Sequence, residues 1–367
     1  MLGRKELEPV QLYPGGLYNY RKIKAATNNF HVANRIGEGG FGTVYKGTLS
    51  NGTAITVKKL SATKEGMWEF AEKSRAIAGI KHPNLLTLMG CCAGKNQLLL
   101  IYEFIGTTSL EDALFGSDDE LRARLDWPTR YRICLGLAEG LAFLHEGSKQ
   151  ETIHGDIKPA NIILDDDLNP KIHGFGFAKL YHKQKSEGSI RLYTAPEVTF
   201  RPLEARTDVY SFGVVMLILF SGRKIKTPRA GGETIYLVDE AEKMDRRGTL
   251  MELVDPKLSY DWEEAEMILR LVMHCIDSPP YRPTMSAIVK KLKKGHSIQT
   301  ILTNAELVEL YPGGLYYYRE IKASTKNFDI ENRLGEGGFG TIYKLKNFRH
   351  QKKECTNLQK KGVQLLA

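Results

Sequence analysis

The chain carries the same glycine-rich segment twice. Residues 11–46 recur as residues 309–344 at an offset of 298, with 26 of 36 positions identical. Leu12-Tyr13-Pro14-Gly15-Gly16-Leu17-Tyr18 returns as Leu310-Tyr311-Pro312-Gly313-Gly314-Leu315-Tyr316, and residues 37–43 return as 335–341. A spacing this long is not a solenoid period. It reads as the opening of a second copy of one domain. That copy stops after Lys344 and runs into a basic tail, where residues 344–367 hold seven Lys/Arg against one Glu. One glycine hairpin cannot bury enough apolar area to fold alone. Residues 296–367 are therefore expected to be a linker, a truncated repeat (309–344) and a tail, from a tandem duplication cut short or a tail translated beyond the real boundary. A hairpin that docks on, or swaps with, the first copy is the alternative.

Composition narrows the class. With 42% hydrophobic and 26% charged residues the chain is an ordinary globular protein, not a disordered or collagen-like one. The net charge is +9, but the tail supplies seven minus one, or +6, of it, so nucleic acid is not expected as a partner. The five cysteines, Cys91, Cys92, Cys134, Cys275 and Cys355, are odd in number and lack metal-ligand spacing. Reduced thiols in the cytosol fit them. The start, Met1-Leu2-Gly3-Arg4-Lys5-Glu6, has neither the apolar core of a signal peptide nor a glycine at position 2. The run from Val209 to Phe220 is too short to span a bilayer and reads as a buried core helix.

Residues 17–29 hold a short amphipathic stretch. Residues 35–60 alternate apolar and polar around Gly47 and Asn51-Gly52, the pattern of a strand meander. A helix is expected over 66–80, two strands over 85–104, helix over 107–145, loop over 150–206 and long helices over 208–293. A strand-rich small lobe before a helix-rich large lobe is an α+β arrangement with its boundary at Gly106-Thr107-Thr108. The cleft between lobes is a favoured ligand site.

Ile36-Gly37-Glu38-Gly39-Gly40-Phe41-Gly42-Thr43-Val44 fits GxGxxGxV. Alone this also suits a dinucleotide fold, but no ribose-binding acid follows at the expected distance. Glycines let backbone N–H groups approach phosphates. Next comes Ile55-Thr56-Val57-Lys58-Lys59. Strand neighbours face opposite sides, so Lys58 enters the cleft with Thr56, towards phosphate, while Lys59 meets solvent.

At this point the chain resembles the protein-kinase family, above all the kinase domains of plant leucine-rich-repeat receptor-like Ser/Thr kinases. The resemblance covers roughly 17–295. Its ordered markers are Gly90-Cys91-Cys92, Leu125-Asp126-Trp127 with Arg130, and Gly140-Leu141-Ala142-Phe143-Leu144-His145. They continue with His154-Gly155-Asp156-Ile157-Lys158-Pro159-Ala160-Asn161 and Ala195-Pro196-Glu197. Asp208-Val209-Tyr210-Ser211-Phe212-Gly213 and Arg282-Pro283-Thr284-Met285 complete the set. It implies a two-lobed kinase fold over 30–295 (small β-rich lobe 30–105, large helical lobe 106–295) after a juxtamembrane-like segment 1–29. It implies ATP as cofactor. Asp156 would accept the substrate hydroxyl proton, Lys158 would steady the transferred phosphate, and Asn161 would hold magnesium. The backbone of the hinge Tyr102-Glu103-Phe104-Ile105 would pair with adenine, chiefly at Glu103 and Ile105. Val44, Thr56 and Ile163 would sandwich the ring, Gly37, Gly39 and Gly42 would bring their backbone to the phosphates, and Ile36 would join the same cofactor site. Glu197 and Arg282 would form a buried ion pair, and His154, Phe175 and Ile77 match the family's hydrophobic spine.

Three departures fall on charges that the chemistry needs. In Lys171-Ile172-His173-Gly174-Phe175-Gly176, Gly174 stands where the family has the magnesium-binding Asp. No acid lies between Lys171 and Lys185, and Asp165, Asp166 and Asp167 read as a solvated hairpin turn. In Glu69-Phe70-Ala71-Glu72-Lys73, Lys73 maps onto the helix glutamate that positions the strand lysine. It would repel Lys58 by about 1 kcal/mol or more; Glu69, one turn away, is the residue that could reach across. The segment from Lys179 to Ala195 is shorter than usual, and Gly155 replaces the arginine before Asp156. The expectation is a pseudokinase or signalling scaffold, with ATP bound weakly and magnesium in doubt. The alternative is a weakly active Ser/Thr kinase; a nonfunctional duplicated-gene product is a third reading. The partners implied are other receptor-like kinases or signalling proteins, with no membrane span in this chain. The place implied is the cytoplasm, with the cytoplasmic face of the plasma membrane as the narrower alternative.

Overall fold

Alternating side chains between turn residues give the first half its strands. In this computed structural model β1 (Arg35–Gly39), β2 (Gly42–Thr48), β3 (Ala54–Ser61), β4 (Leu88–Gly94) and β5 (Gln97–Glu103) form one antiparallel sheet in the order β1-β2-β3-β5-β4. The structure describes residues 18–39, 42–61, 74, 77–94, 97–148, 152–175, 192–229 and 234–294, and residues 307–311, 314–317, 333–337 and 340–343 further on. The helix expected over 66–80 falls largely outside these, with only Ser74 and Ile77 seen as helical. Lys73, Glu72 and Glu69 lie outside too, as do residues 176–191.

Strand β3 shows how the sheet sorts its faces. Ile55 and Val57 are fully buried, while Thr56 and Lys58 are half-buried on the opposite face. Ile55 and Val57 pack with Cys92, Leu99, Ile101 and Ile23 of α1 (Tyr20–Ala26). The other face joins the main core through Leu60, Leu100 and Tyr102.

The second half is helical because its apolar residues shift to helical spacing and its helix starts carry caps. Ser109 and Asp112 make a reciprocal capping box at α2 (Leu110–Phe115), and Asp118 caps α3 (Asp119–Ala123). Asp126 caps α4 (Trp127–Ala142), with Pro128 in its first turn. Helix α5 (Ala205–Ser221) is buried from Thr207 to Ser221, as its apolar run predicts, and forms the centre of this lobe. Helices α4 and α7 (Trp262–Ile276) pack on α5, while α8 (Met285–Lys294) packs on α4. Arg130 of α4 is buried and donates to the carbonyls of Leu125 at 2.8 Å and Leu219 at 2.6 Å and to Asp255 at 2.9 Å. A buried guanidinium needs such partners.

Two short hairpins interrupt the helices. β6 (Ile162–Leu164) pairs with β7 (Pro170–Ile172), and the Asp165 carboxylate closes their turn by accepting the N–H groups of Asp167 and Asn169. β8 (Lys226–Pro228) pairs with β9 (Thr234–Tyr236) ahead of α6 (Leu237–Arg247). This last hairpin corrects the expectation of helix throughout 208–293. Its strands are three residues each, too short for a period to show.

The chain divides into two units, Met1–His296 and Ser297–Ala367. In the second, β10 (Leu307–Tyr311) pairs with β11 (Gly314–Tyr317), and β12 (Arg333–Gly337) with β13 (Gly340–Tyr343). The second pair repeats the β1–β2 register: Arg333↔Tyr343 and Gly337↔Gly340 match Arg35↔Tyr45 and Gly39↔Gly42, with a bulge at the same place. Local sequence thus dictates this hairpin. Each of these sheets has two strands among the described residues, and an isolated hairpin is marginal at best in water.

Candidate active-site cleft

The loop between α4 and β6 carries the acid. Asp156 Oδ2 accepts from Lys158 Nζ at 2.8 Å and from Asn161 Nδ2 at 2.9 Å. Asn161 Nδ2 also donates to the Asp156 carbonyl at 2.6 Å. The sequence-predicted trio is thus assembled around one oxygen. Burial pushes the Asp156 carboxyl up, but Lys158, His154 and Asn161 outweigh it and hold the acid below its usual range.

What fixes that loop is a residue that sequence reasoning quoted but gave no role. The fully buried Asp208 carboxylate of α5 accepts the N–H groups of His154 and Gly155, both at 2.7 Å, and approaches His145 Nε2 at 2.9 Å. The signal was present: Asp208 is the one acid in a helix otherwise apolar from Val209 onward. An acid there needs buried donors, and loop backbone supplies them.

Lys58 stands on the cleft face of β3, as expected, opposite Val44 in register. Burial brings its ammonium down to about 8; Asp156 pulls it back up and Lys158 pushes it further down. Lys59 corrects the expectation of a solvated side chain. It is half-buried, with Nζ 4.9 Å from the centre of the Phe30 ring, a cation–π contact on the far face.

The glycine loop is described on both sides of Gly40 and Phe41. Gly42 has φ +136°, and a Cβ there would lie 2.0 Å from the Lys59 carbonyl oxygen. The sheet itself therefore demands glycine at 42, whatever the loop binds. Ile36, Val44, Thr56, Ile105 and Ile163 are all half-buried, unlike the sealed core beside them. They suit a slot for a flat apolar ring. At the hinge, Glu103 is committed internally: its carboxylate accepts the Thr87 N–H at 2.9 Å and its N–H donates to the Thr87 carbonyl at 3.2 Å. The Ile105 N–H and C=O have no partner among the described residues, so Ile105 has the groups free to pair with a base edge. These residues fit an adenine nucleotide.

They do not fit magnesium. Gly174 has no ligand to offer, and its φ is +88°. A Cβ built there meets nothing within 4 Å, so the space is open and only the carboxylate is missing. Asp165 is used up by its own turn. Asp156 Oδ2 is taken by Lys158 and Asn161. No group of three or more His, Cys, Asp or Glu suited to a metal exists among the described residues. A magnesium site takes about six oxygens, with one or two carboxylates among them. Beside Gly174, burial and the neighbouring Lys58 and His154 bring the His173 imidazole down to about 3, so it is neutral.

The packing around this gap is complete. Phe175 is buried with its ring 6.5 Å from that of His154, and Ile77 belongs to the same core. Arg282 grips Glu197 through two bonds, at 2.5 and 3.1 Å. It also donates to the carbonyls of Asp277 at 2.7 Å and Arg206 at 3.1 Å. The four described cysteines are buried and form no disulfide among the described residues, and Cys91 and Cys92 lie within β4. No helix among the described residues is long and apolar enough to cross a membrane.

Known proteins share this architecture. The family described as protein tyrosine and serine/threonine kinase matches residues 30–292. A probable LRR receptor-like serine/threonine-protein kinase of Arabidopsis thaliana is 45% identical over 318 residues, which make up 84% of this chain and 31% of that protein. Cold-responsive protein kinase 1 of the same plant is 42% identical over 287 residues, 75% of this chain and 74% of that one. Among solved structures, the pseudokinase domain of BIR2, described as an immune regulator of the RLK/Pelle family, aligns with a TM-score of 0.62 and 31% identity. That match covers 81% of this chain and 93% of the BIR2 chain. The chain spans about a third of the length of the receptor-like kinases it matches first. With its sheet lobe, helical lobe and family match together, the chain belongs to the protein kinase family, which uses ATP and magnesium, and its relatives there are plant leucine-rich-repeat receptor-like Ser/Thr kinases.

Proposed function

We propose that this chain is a pseudokinase, a kinase fold that docks or regulates signalling partners, other receptor-like kinases among them, rather than transferring phosphate. Its working part is residues 30–295, and it acts on the cytoplasmic side, at the plasma membrane. The observation that carries this reading is Gly174: the place of the metal-binding acid has no side chain, while Phe175, His154 and the Glu197–Arg282 pair remain packed. Loss of a metal ligand removes charge neutralisation and orientation together. The likeness to the BIR2 pseudokinase domain supports the same reading. The nucleotide end keeps Lys58, Ile105 and the ring-facing residues, so ATP is expected to bind weakly. A second reading, a weakly active Ser/Thr kinase, draws on the assembled Asp156, Lys158 and Asn161.

Incubation of the purified chain with radiolabelled ATP and magnesium, alone and with a generic protein substrate, separates the two. No incorporation is expected. Incorporation that disappears in Asp156→Asn overturns the pseudokinase reading in favour of the second.

A further inference from the structure

We propose that Thr227 is a phosphorylation site, and that the enzyme which writes it is a proline-directed Ser/Thr kinase. The inference does not depend on the reading above.

The chain holds two hydroxyl side chains followed directly by proline, at Thr227-Pro228 and Ser278-Pro279. Proline has no N–H, and it biases the residue before it towards extended backbone. A kinase whose groove seeks an N–H after the acceptor rejects such a pair, while a proline-directed one accepts it. The dipeptide alone does not rank the two positions; their surroundings do.

Both hydroxyl residues are exposed. Ser278 opens a tight turn. Its carbonyl accepts the Tyr281 N–H at 3.0 Å, and Pro279–Tyr281 forms a single turn of 3-10 helix. The Pro279 carbonyl accepts Arg206 Nη1 at 2.7 Å, and the Asp277 carboxylate accepts the Ser278 N–H at 2.7 Å. Arg282, next in line, is buried and bonded to Glu197 at 3.1 Å. Laying this stretch out in a groove would break these bonds together.

Thr227 already lies in a strand, β8, whose three residues are all exposed. It pairs with Ile235 of β9 in a ladder of three residue pairs. Pro228 gives that ladder no N–H, so its end is weakly held. The other end is fastened, because Leu237 donates to the carbonyl of buried Ile225 at 3.0 Å. Strand β8 can therefore lift from β9 at its Pro228 end while the core of the lobe stays closed. Extended backbone, exposure and a cheap opening are what a groove needs to bring a hydroxyl in line with a phosphate.

The step is an ordinary phosphoryl transfer. Thr227 Oγ1 bonds to the γ-phosphorus of ATP held by the other kinase, and the bond from that phosphorus to the β,γ-bridging oxygen breaks. ADP leaves, and the hydroxyl proton goes to that kinase's catalytic carboxylate. The product sets about two negative charges next to Lys226 and two residues before Arg229.

The test incubates the full chain with ATP, magnesium and a recombinant mitogen-activated protein kinase, a proline-directed enzyme, and reads the labelled position by mass spectrometry. Phosphate is expected on Thr227 and not on Ser278. Thr227→Ala should remove it, and so should Pro228→Ala, which keeps the hydroxyl. Both are surface changes, and a thermal melt of each confirms folding. Hydrogen exchange reads the structural cause: the Thr227 N–H should exchange faster than the Tyr281 N–H. No phosphate on Thr227, or phosphate that survives Pro228→Ala, overturns the inference. Equal labelling of Ser278, or slower exchange at Thr227 than at Tyr281, overturns it as well. None of these touches the pseudokinase reading, which falls only to incorporation with ATP alone that disappears in Asp156→Asn.

Discussion

Replacing Asp208 tests how the catalytic loop is held. Its carboxylate is fully buried, takes two backbone N–H groups at 2.7 Å, and meets His145 Nε2 at 2.9 Å. Asp208→Ala leaves the amides of His154 and Gly155 without an acceptor, in a place water does not reach. Each orphaned donor costs about 1–3 kcal/mol. The losses share one cavity and are not additive, so a total of about 4 kcal/mol is expected. A domain this large loses about 2–4 °C per kcal/mol, which gives a fall in Tm of roughly 8–16 °C. Asp208→Asn keeps the shape and one acceptor oxygen but aims an amide NH2 at another donor, so about half the loss is expected. Urea unfolding gives the free energies, and hydrogen exchange at His154 and Gly155 gives the local effect. If Asp208→Ala unfolds within 1 kcal/mol of the unaltered chain and those two amides stay protected, the anchoring argument is wrong.

Three further outcomes follow from the same geometry. Arg282→Ala should cost about 3–5 kcal/mol in urea unfolding, because it strands the Glu197 carboxylate; pairing it with Glu197→Leu should recover much of that, since no buried charge is then left alone. Affinity for ATP should be flat from about pH 7 and fall as pH rises past about 8. The sign follows from Lys58: phosphate binds its charged form and raises its pKa, so binding takes up a proton once the free cleft has lost it. His173, already neutral with its pKa at about 3, does not alter that profile. A titration that stays level to pH 9.5 would remove Lys58 from the phosphate site. Finally, Gly174→Asp combined with Lys73→Glu should raise phosphate incorporation above that of the unaltered chain. The aspartate strains the backbone at φ +88° by roughly 1–2 kcal/mol, and the open space accommodates its side chain. If incorporation stays at background in a folded double variant, the short segment before Ala195 is the deeper lesion.

The sequence displayed its chemistry unevenly, for physical reasons. Strands β1 to β5 and helix α5 were legible because burial on one face, or all round, imposes a period that residues i and i+2, or a long apolar run, reveal. The β8–β9 hairpin was not, because three-residue strands exposed to solvent impose no period. Lys58 and Thr56 could be assigned to one face by alternation alone, since strand geometry is local. Lys59 on the Phe30 ring could not, because the partner comes from the turn after α1, 29 positions earlier. Asp208 stood out as a lone acid in an apolar helix, yet its acceptors' donors lie more than 50 residues away, at His154 and Gly155. Pattern reading gives the anomaly; only the closed fold gives its partner.

That difference also explains how Gly174 can stand in an intact kinase fold. Packing is shared: Phe175 rests on His154 and on a core of many side chains, so no single neighbour decides whether it stays buried. Metal binding is not shared, because one carboxylate at one position both neutralises and orients the ion. Substituting glycine at 174 therefore removes a charge from the cleft without opening a cavity, and glycine fits the φ of +88° better than the acid would. On the pseudokinase reading proposed above, glycine suits this backbone while it leaves the metal without its acid. Packing and metal binding thus place different demands on this residue, and Gly174→Asp should lower the melting temperature even as it raises affinity for magnesium-bound ATP. A variant that gained both stability and magnesium affinity would show that the backbone at 174 is not strained for an acid, and that the missing side chain had been part of the packing after all.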